Sequence, residues 1–472
     1  MGPDREGSGC AGREQSSRLG RAVGRAGYFA LAFGAIVGSG WVIVLGDWLM
    51  AAGPGGTVLA FLAGGAVMML IGLCYGELAA RFPRAGAEFL YVRETLGRLP
   101  AFLVGWYITL YAVATCGFEA IALAWIVRTL LPSIGLGAAY HVHGSAVTWD
   151  ALLIGLAGAL LLGALHTRGA AAAIRFQNAV TFGFILLMVM LIAAALVAGQ
   201  PERLQPAFES VPPGTWITGA LWTFGSCAFF LNGWQTALHA IEERRPDVTP
   251  RAAVMSSIAA ILTAALFYGA VVLAAGSAVP WRGLVGQNLP AVAAFTALPG
   301  GRILGAVILA ATAISLVKTW SAMIWVASRL LYAQARQGLL PAALARVDPE
   351  SGVPRPAIYL VTSLTVLAVA IGRGAILPIV NMVSTCMALS FVLCLIVLIK
   401  CRRLDGPRPS FTVPGGTPVI AFAATGACLM VGTALAEPWI RSDGAIPPEW
   451  FLLLAWGAVA LVAWRIRTDP AR

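Results

Sequence analysis

The sequence predicts an all-α polytopic membrane protein with twelve transmembrane helices, and three observations support this fold class. Apolar residues make up 59% of the 472 residues and charged residues only 11%, and the mean hydropathy is +0.82. A soluble domain carries roughly 25% charged residues, so this chain cannot cover a water-exposed surface. Twelve apolar stretches follow one another, and basic residues cluster in alternate connections. A soluble enzyme, a disordered chain and a nucleic-acid-binding domain are therefore excluded.

Each apolar stretch is close to the length of a membrane-spanning helix, which needs about 20 mostly apolar residues. The predicted spans cover residues 26–50, 55–80, 100–130, 149–166, 174–198, 215–241, 252–276, 301–335, 357–373, 376–400, 416–436 and 449–467. Residues 1–24 contain Gly, Arg, Ser and acidic residues without apolar periodicity. We expect them to form a disordered cytoplasmic tail.

The basic residues also predict the orientation, because cytoplasmic loops carry an excess of Lys and Arg. With a cytoplasmic N-terminus, 25 of the 32 Lys and Arg residues fall on the cytoplasmic side and 6 on the outer side, while Lys318 lies within a span. This distribution predicts a multi-pass protein of the cell membrane with both termini in the cytoplasm.

Two spans are interrupted near mid-membrane by residues that weaken a helix. The first contains Gly-Ala-Ile-Val-Gly-Ser-Gly at residues 34–40, and the sixth contains Phe-Phe-Leu-Asn-Gly-Trp-Gln at residues 229–235. Each Gly costs about 1 kcal/mol relative to Ala in a helix. Spans one and six begin two sets of five, at about residues 26–198 and 215–400. Interruptions at matching places in two halves are typical of inverted-repeat transporters that bind substrate at the breaks.

Unwinding a helix at membrane depth frees backbone N–H and C=O groups, which is tolerated only beside a polar cavity or a ligand. The N-terminus of a half-helix attracts a carboxylate, and the C-terminal carbonyls attract an ammonium group. An amino-acid zwitterion satisfies both ends. A simpler interpretation also fits the first break, because Gly34 and Gly38 form a pattern of small residues that allows helices to pack closely.

Four motifs occur in order between residues 26 and 400. They read Gly-Ala-Ile-Val-Gly-Ser-Gly-Trp-Val at 34–42, Tyr-Gly-Glu-Leu-Ala-Ala-Arg-Phe-Pro-Arg-Ala-Gly at 75–86, Glu-Glu-Arg-Arg-Pro at 242–246 and Ser-Arg-Leu-Leu-Tyr-Ala-Gln-Ala-Arg-Gln-Gly-Leu-Leu-Pro at 328–341. In sequence and register, these motifs resemble those of the amino acid–polyamine–organocation (APC) permeases. Each motif is weak alone, but the four together are specific.

The resemblance implies a leucine-transporter-like fold and the transport of solutes, usually amino acids. Residues 25–400 would form a ten-helix transport core of two inverted repeats, and residues 401–472 would add two C-terminal helices and a tail. By position, the helix 1 break would bind the substrate carboxylate, and carbonyls of the helix 6 break would face the substrate ammonium. The implied substrate-binding residues are Ile36, Val37, Gly38, Ser39, Gly40, Phe229, Phe230, Asn232 and Gly233.

The resemblance also implies that Phe229 is an aromatic gate, but two positions depart from the family pattern. Where the family has Gly-Phe-Glu, this chain has Gly-Trp-Gln, so Trp234 and Gln235 occupy the gating positions without the acid. The helix 5 stretch at residues 177–184 lacks the Lys that stands in for a sodium ion in some relatives. We therefore do not expect proton coupling through a helix 5 Lys.

Two ionisable residues lie within predicted spans, where a charge costs at least about 2.5–3.5 kcal/mol. Lys318 lies 16 residues after Arg302 and 11 before Arg329, roughly 24 and 16 Å along a helix. It is a candidate for carrying a coupling proton, or for a fixed cation near the helix 1 break; a static ion pair is the alternative. Glu119 is its candidate partner, unless Glu119 pairs with Arg128 at the outer interface.

The sequence thus predicts a secondary active transporter that moves an amino acid by alternating access, as a proton symporter or exchanger. A neutral or apolar amino acid is favoured if Lys318 and Glu119 face the site together, because their charges cancel. A polyamine or other organic amine is an alternative substrate, and a non-transporting sensor or channel is an alternative function. The expected partners are the substrate, a coupling proton and membrane lipid. No H-E-x-x-H, G-x-S-x-G or P-loop motif occurs, so we expect no enzymatic activity, cofactor or metal.

Overall fold

The computed structural model describes residues 19–142, 145–210, 215–372, 376–404, 408–441 and 448–468, which are predominantly α-helical. Residues 1–18 of the predicted tail lie outside the described residues. The helices, numbered α1 to α16 in chain order, are Arg25–Ile36, Gly40–Ile43, Leu45–Arg81, Ala87–Leu96, Arg98–Leu130, Trp149–Thr167, Ala170–Ala198, Trp216–Phe230, Gln235–His239, Pro250–Ala278, Pro290–Thr296, Gly301–Arg336, Arg355–Ile371, Ile376–Arg403, Gly416–Arg441 and Pro448–Thr468. Two short strands, β1 (Ala138–Val142) and β2 (Ser145–Thr148), pair antiparallel between α5 and α6.

Within the described residues, nine helical stretches are long and apolar enough to cross a membrane, and they coincide with nine of the predicted spans. The predicted ninth and twelfth spans correspond to α13 and α16, whose described apolar parts are shorter. The predicted sixth span corresponds to the separate helices α8 and α9. The prediction of a helical polytopic membrane protein is confirmed, and the count of twelve spans with an inverted repeat stays a prediction.

The boundary between the first two predicted spans lies inside α3, which changes direction at Gly53. This residue has φ 66° and ψ 176°, a conformation that residues with a side chain rarely adopt. A Cβ atom added there would also lie 2.8 Å from the carbonyl oxygen of Ala207. The next residue, Pro54, suits the first turn of the helical run that follows.

Helix α1 lies at the centre of the bundle, and nine of its twelve residues are buried. It packs against α7, α9, α10 and α12. Helix α12 also packs along α5, while α8 packs along α3. These contacts bring the end of α1, the junction of α8 and α9, and the middle of α12 together in the core.

The chain segment before α1 is attached to the connection between α9 and α10. The N–H group of Val23 donates to the carbonyl of Glu243 at 2.9 Å, and Val23 accepts a bond from the N–H group of Arg245 at 3.1 Å. Gly20 donates to the carbonyl of Gly352 at 3.0 Å. Residues 19–24, which the sequence places in the tail, are therefore hydrogen-bonded to the bundle.

Candidate functional site

The first helix break consists of Val37, Gly38 and Ser39, between α1 and α2. Val37 is extended, with φ −92° and ψ 92°. The backbone N–H groups of Gly38 and Ser39 donate to no other residue in the described part of the chain. The hydroxyl of Ser39 is buried and also has no partner there. The break therefore offers unbonded donors to a ligand.

The carbonyl groups at the end of α1 are bonded by side chains of α12. The Lys318 Nζ atom donates to the carbonyl of Gly34 at 3.3 Å and to that of Val37. The Thr319 hydroxyl donates to the carbonyl of Gly34 at 2.8 Å and lies 3.2 Å from that of Val37. The Ser315 hydroxyl lies 2.8 Å from the Val37 carbonyl. These side chains satisfy carbonyls that the end of a helix leaves unbonded, and the Lys318 amine complements the negative end of the helix dipole.

Lys318 is fully buried, with no exposed surface. Its amine lies over the aromatic rings of Phe184 and Phe33, at 4.8 and 5.7 Å from the ring centroids. Such ring faces attract a cation. The Gln177 amide donates at 3.2 Å to the backbone carbonyls of Lys318 and Ala30, so it links α7, α12 and α1 at this level.

Glu119 on α5 lies at the first break rather than at the outer interface. A Cβ atom added to Gly38 would lie 3.0 Å from Oε1 of Glu119. The Oε2 atom is buried and accepts no hydrogen bond from the described residues. Arg128 pairs instead with Asp150, at 3.9 Å. Glu119 and Lys318 do not form an ion pair within 4.0 Å in the described part of the chain. Each side chain contacts the first break independently.

The second break, at residues 231–234, is stabilised by the side chain of Asn232 and by that of Gln235, the first residue of α9. The Gln235 side chain accepts from the N–H group of Gly233 at 3.0 Å and donates to Oδ1 of Asn232 at 2.8 Å. Gly233 has φ 108°, and a Cβ atom there would lie 2.7 Å from the carbonyl oxygen of Ala35. The second break therefore contacts the last turn of α1, just before the first break. The Asn232 Nδ2 atom is buried and unbonded in the described chain.

Aromatic side chains form one wall beside the first break. The Phe230 ring lies so close to Gly40 that a Cβ atom there would be 2.5 Å from it. This ring packs edge-on against Trp48, with centroids 4.8 Å apart. The half-buried Phe229 ring is 5.2 Å from the Phe230 ring. Tyr268 packs next to both Phe230 and Trp48. This wall suits an apolar group.

Trp234 points away from the first break. It has no exposed surface, and its ring packs against Tyr75 on α3 and Phe391 on α14, at 4.9 and 6.2 Å between centroids. The structure thus places Phe229 beside the aromatic wall, Gln235 inside the second break and Trp234 in the surrounding core. Their predicted gating roles stay predictions.

Three polar residues at the site were missing from the sequence prediction, namely Gln177, Ser315 and Thr319. In α12, Ser315, Lys318 and Thr319 have a spacing of three and four residues, which puts them on one face of the helix. A polar stripe of this kind in an apolar span was the signal that could have identified them. Gln177 carried no such signal, because its partners lie on other helices.

A helical membrane protein with two interrupted helices whose breaks lie close together is typical of the transporter class. The family model for amino acid permeases matches residues 24–461. The chain belongs to this family. The resemblance to the APC permeases is therefore confirmed, as is the prediction of an integral, multi-pass membrane protein that is a transporter rather than an enzyme.

Several characterised relatives match most of the chain. A methylthioribose transporter of Bacillus subtilis (strain 168) is 26% identical over 428 residues, covering 88% of this chain and 89% of that protein. A branched-chain amino acid permease of the same organism is 25% identical, with 88% of each chain covered. The human Asc-type amino acid transporter 1 is 25% identical, covering 94% of this chain and 84% of that protein. The chain is thus similar to amino acid transporters and to a transporter of another solute.

Proposed function

We propose that this protein is a secondary active transporter that binds an amino acid at the two breaks and moves it by alternating access. The observation that carries the proposal is the set of buried, unbonded polar groups at the first break. Gly38 lies against the Glu119 carboxylate, and the N–H groups of Gly38 and Ser39 and the Oε2 atom of Glu119 have no partner among the described residues. The closeness of the breaks in spans one and six, where Gly233 contacts the last turn of α1, supports the proposed twelve-helix, inverted-repeat arrangement.

In this proposal the substrate lies across the first break. Its carboxylate accepts hydrogen bonds from the N–H groups of Gly38 and Ser39, and its ammonium faces Glu119 and the second break. Charge-assisted hydrogen bonds of this kind are about twice as strong as neutral ones. The ammonium group of a zwitterion would lie between the substrate carboxylate and that of Glu119. Both carboxylates would then be compensated within the site.

The substrate side chain would pack against the aromatic wall formed by Phe230, Trp48 and Tyr268. The ring packing of these residues next to Gly40 supports a neutral or apolar amino acid. A relative that covers 88% of this chain is named as a branched-chain amino acid permease, which agrees with this choice.

We assign proton coupling to Lys318. Its ammonium group bonds the end carbonyls of α1 and lies over two aromatic rings. Loss of its proton would remove the attraction to the helix dipole and to the rings, and so would loosen α1 from α12. The termini are cytoplasmic in this proposal, so displacement of α1 would open the substrate site towards the cytoplasm.

An organic amine is the second candidate substrate. The buried, unbonded Oε2 atom of Glu119 favours it, because a buried carboxylate needs a compensating positive group. An amine without a carboxylate would leave the N–H groups of Gly38 and Ser39 unused, so the amino acid is the better fit.

A thermal-unfolding screen of the detergent-purified protein would distinguish the two candidates. Each amino acid would be compared with its decarboxylated amine and its deaminated acid. A ligand at 100 times its Kd stabilises a protein by about 2.7 kcal/mol. We expect stabilisation by the intact amino acid, and loss of it for both analogues.

The Glu119→Gln variant sharpens this comparison. It should weaken the binding of amino acid and amine alike, because both place their ammonium near this residue. Stabilisation by amines alone, lost in Glu119→Gln, would establish the amine as substrate. Stabilisation by the deaminated acid equal to that by the amino acid would contradict the proposed role of Glu119.

A further inference from the structure

A cavity of about 530 Å³ lies at the start of α1, at the opposite end of this helix from the first break. Its walls come from three elements, which are the first turn of α1, the first turns of α7, and the connection that follows α9. Along α7 the lining residues are Ala171, Ile174, Arg175 and Asn178. Their spacing puts one face of α7 along the cavity.

The lining is strongly basic. Arg25 on α1, Arg175 on α7 and Arg245 after α9 all face the cavity, and the lining has one acidic residue, Asp247. Asp247 pairs with Arg245 at 3.0 Å. Arg25 and Arg175 make no ion pair with any described residue. Counting only the described residues, the cavity therefore keeps two guanidinium groups without a paired carboxylate.

The start of α1 adds further donors. Its N-cap residue, Gly24, makes no side-chain capping bond, and the first N–H groups of a helix have no partner within it. The Arg245 side chain lies over this end, since a Cβ atom on Gly24 would be 3.6 Å from its Nη1 atom. A guanidinium group and a helix N-terminus thus point at the same space.

We propose that this cavity binds a phosphate-bearing anion, and that the headgroup of an acidic membrane phospholipid supplies it. Arg25, Arg175 and Arg245 would donate charge-assisted hydrogen bonds to the phosphate oxygens, and the first turn of α1 would add backbone donors. This site is separate from the proposed substrate site, and it does not depend on which solute is carried.

The surface next to the cavity favours a lipid over a soluble phosphate. Following Asn178 at steps of four residues, α7 carries Phe182, Leu186 and Met190, which are 43%, 64% and 63% exposed. These side chains form one continuous apolar stripe that starts at the cavity. A phospholipid could place its phosphate in the cavity and its acyl chains along this stripe.

Occupation of the site would connect α1 to two other parts of the bundle. The phosphate would bridge α1, α7 and the connection at residues 244–248, which already bonds the segment before α1 through Val23. The other end of α1 is the first break. A bound lipid would therefore resist displacement of the half-helix that carries the substrate site.

The test is a lipid titration of the purified full-length protein in uncharged detergent, with the thermal-unfolding midpoint as the readout. The additions are phosphatidylglycerol, phosphatidylcholine with the same acyl chains, and inorganic phosphate. The site variant combines Arg25→Gln, Arg175→Gln and Arg245→Gln. The matched control combines Arg98→Gln, Arg346→Gln and Arg403→Gln, which are exposed residues outside the cavity lining.

We expect phosphatidylglycerol to raise the midpoint of the wild-type protein and of the control. The site variant should need about 100-fold more lipid for the same shift, because each arginine near an anionic headgroup contributes about fivefold. The double variant Arg25→Gln with Arg175→Gln keeps the pair of Arg245 and Asp247, and should need about 25-fold more lipid.

The proposal would be overturned if phosphatidylcholine shifted the midpoint as much as phosphatidylglycerol. It would also be overturned if the site variants responded to phosphatidylglycerol like the control. Inorganic phosphate alone could give the full shift with the same dependence on the three arginines. That result would keep the phosphate site and reject a lipid as its source.

Discussion

The two helix breaks lie close to each other, because Gly233 contacts the last turn of α1, yet they are stabilised in different ways. The first break depends on another helix, because Lys318, Thr319 and Ser315 of α12 bond its carbonyl groups. The second break is stabilised by a neighbouring residue of the same segment. The Gln235 side chain accepts from the N–H group of Gly233 and donates to the amide oxygen of Asn232. If α1 and α12 separated, the first break would lose these bonds, whereas the bonds within the second break would remain.

The breaks also differ in the donors that they leave free. At the second break, the N–H group of Asn232 donates to Phe229 and that of Gly233 donates to Gln235. At the first, the N–H groups of Gly38 and Ser39 have no partner among the residues described. A substrate carboxylate is therefore expected at the first break. The second break would border the bound substrate without binding its carboxylate.

The largest effect is expected from Lys318→Ala, which removes the charged group from the end of α1. Each hydrogen bond to a charged group contributes about 1.5–3 kcal/mol, and Lys318 makes two. Uptake into proteoliposomes driven by a proton gradient should fall at least about 100-fold. Lys400→Ala is the matched control, because the Lys400 amine is exposed and, among the described residues, bonds only the carbonyl of Thr95. Unchanged gradient-driven uptake by Lys318→Ala would remove Lys318 from the mechanism.

A smaller but clear effect is expected from Gly38→Val at the first break. The new Cβ atom would lie 3.0 Å from Oε1 of Glu119, and its methyl groups would cover the free N–H groups. Loss of one charge-assisted bond costs roughly 2 kcal/mol, so substrate affinity should fall at least about tenfold. Gly432→Ala is the control, since a Cβ atom there meets no neighbour within 4 Å. Isothermal titration with the identified substrate measures both, and equal affinities would contradict the first break as the substrate site.

At the second break, Gln235→Ala should lower the free energy of unfolding by about 1–3 kcal/mol, because buried polar groups lose their partner. Substrate affinity should change less than in Gly38→Val. Gln235→Glu keeps an acceptor for the Gly233 N–H group, so its unfolding midpoint should lie nearer to that of the wild type. Gln287→Ala, in an exposed connection, is the control. If Gln235→Ala abolished binding while leaving stability intact, the self-contained character of this break would be wrong.

The smallest effect is expected from Thr319→Val. The Gly34 and Val37 carbonyls would keep their bonds to Lys318, so the loss should be about 1 kcal/mol of unfolding free energy. Thr312→Val should cost less, because the one bond of the Thr312 hydroxyl within the described chain is to the carbonyl of Ile308 in its own helix. Thermal unfolding of the two variants side by side tests this. A Thr319→Val effect as large as that of Lys318→Ala would show that the hydroxyl, not the amine, is the main cap.

The features that the sequence predicted well have a local cause. Both breaks follow from Gly, Ser and Asn inside apolar spans, and the membrane class follows from hydropathy alone. Glu119 and Lys318 stood out because a charge within a span is costly. The structure places both side chains beside the first break, and their predicted coupling roles stay predictions.

The remaining features depend on how the helices are rotated against each other. The sequence does not show that Glu119 faces Gly38, that Lys318 bonds α1 instead of Glu119, or that Trp234 turns towards Phe391. Thr319 was overlooked for the same reason, because its partners lie on α1. Contacts between elements distant in the chain are set by packing, which hydropathy does not report.

Hydrogen–deuterium exchange of the two breaks tests the central claim most directly. Peptides covering residues 33–41 and 229–238 would be followed in the wild type, in Lys318→Ala and in Gln235→Ala. The account predicts that Lys318→Ala accelerates exchange in the first peptide only, because the end of α1 loses its cap from α12. Gln235→Ala should accelerate exchange in the second peptide only. Equal acceleration of both peptides by Lys318→Ala, or none in the first, would contradict the account.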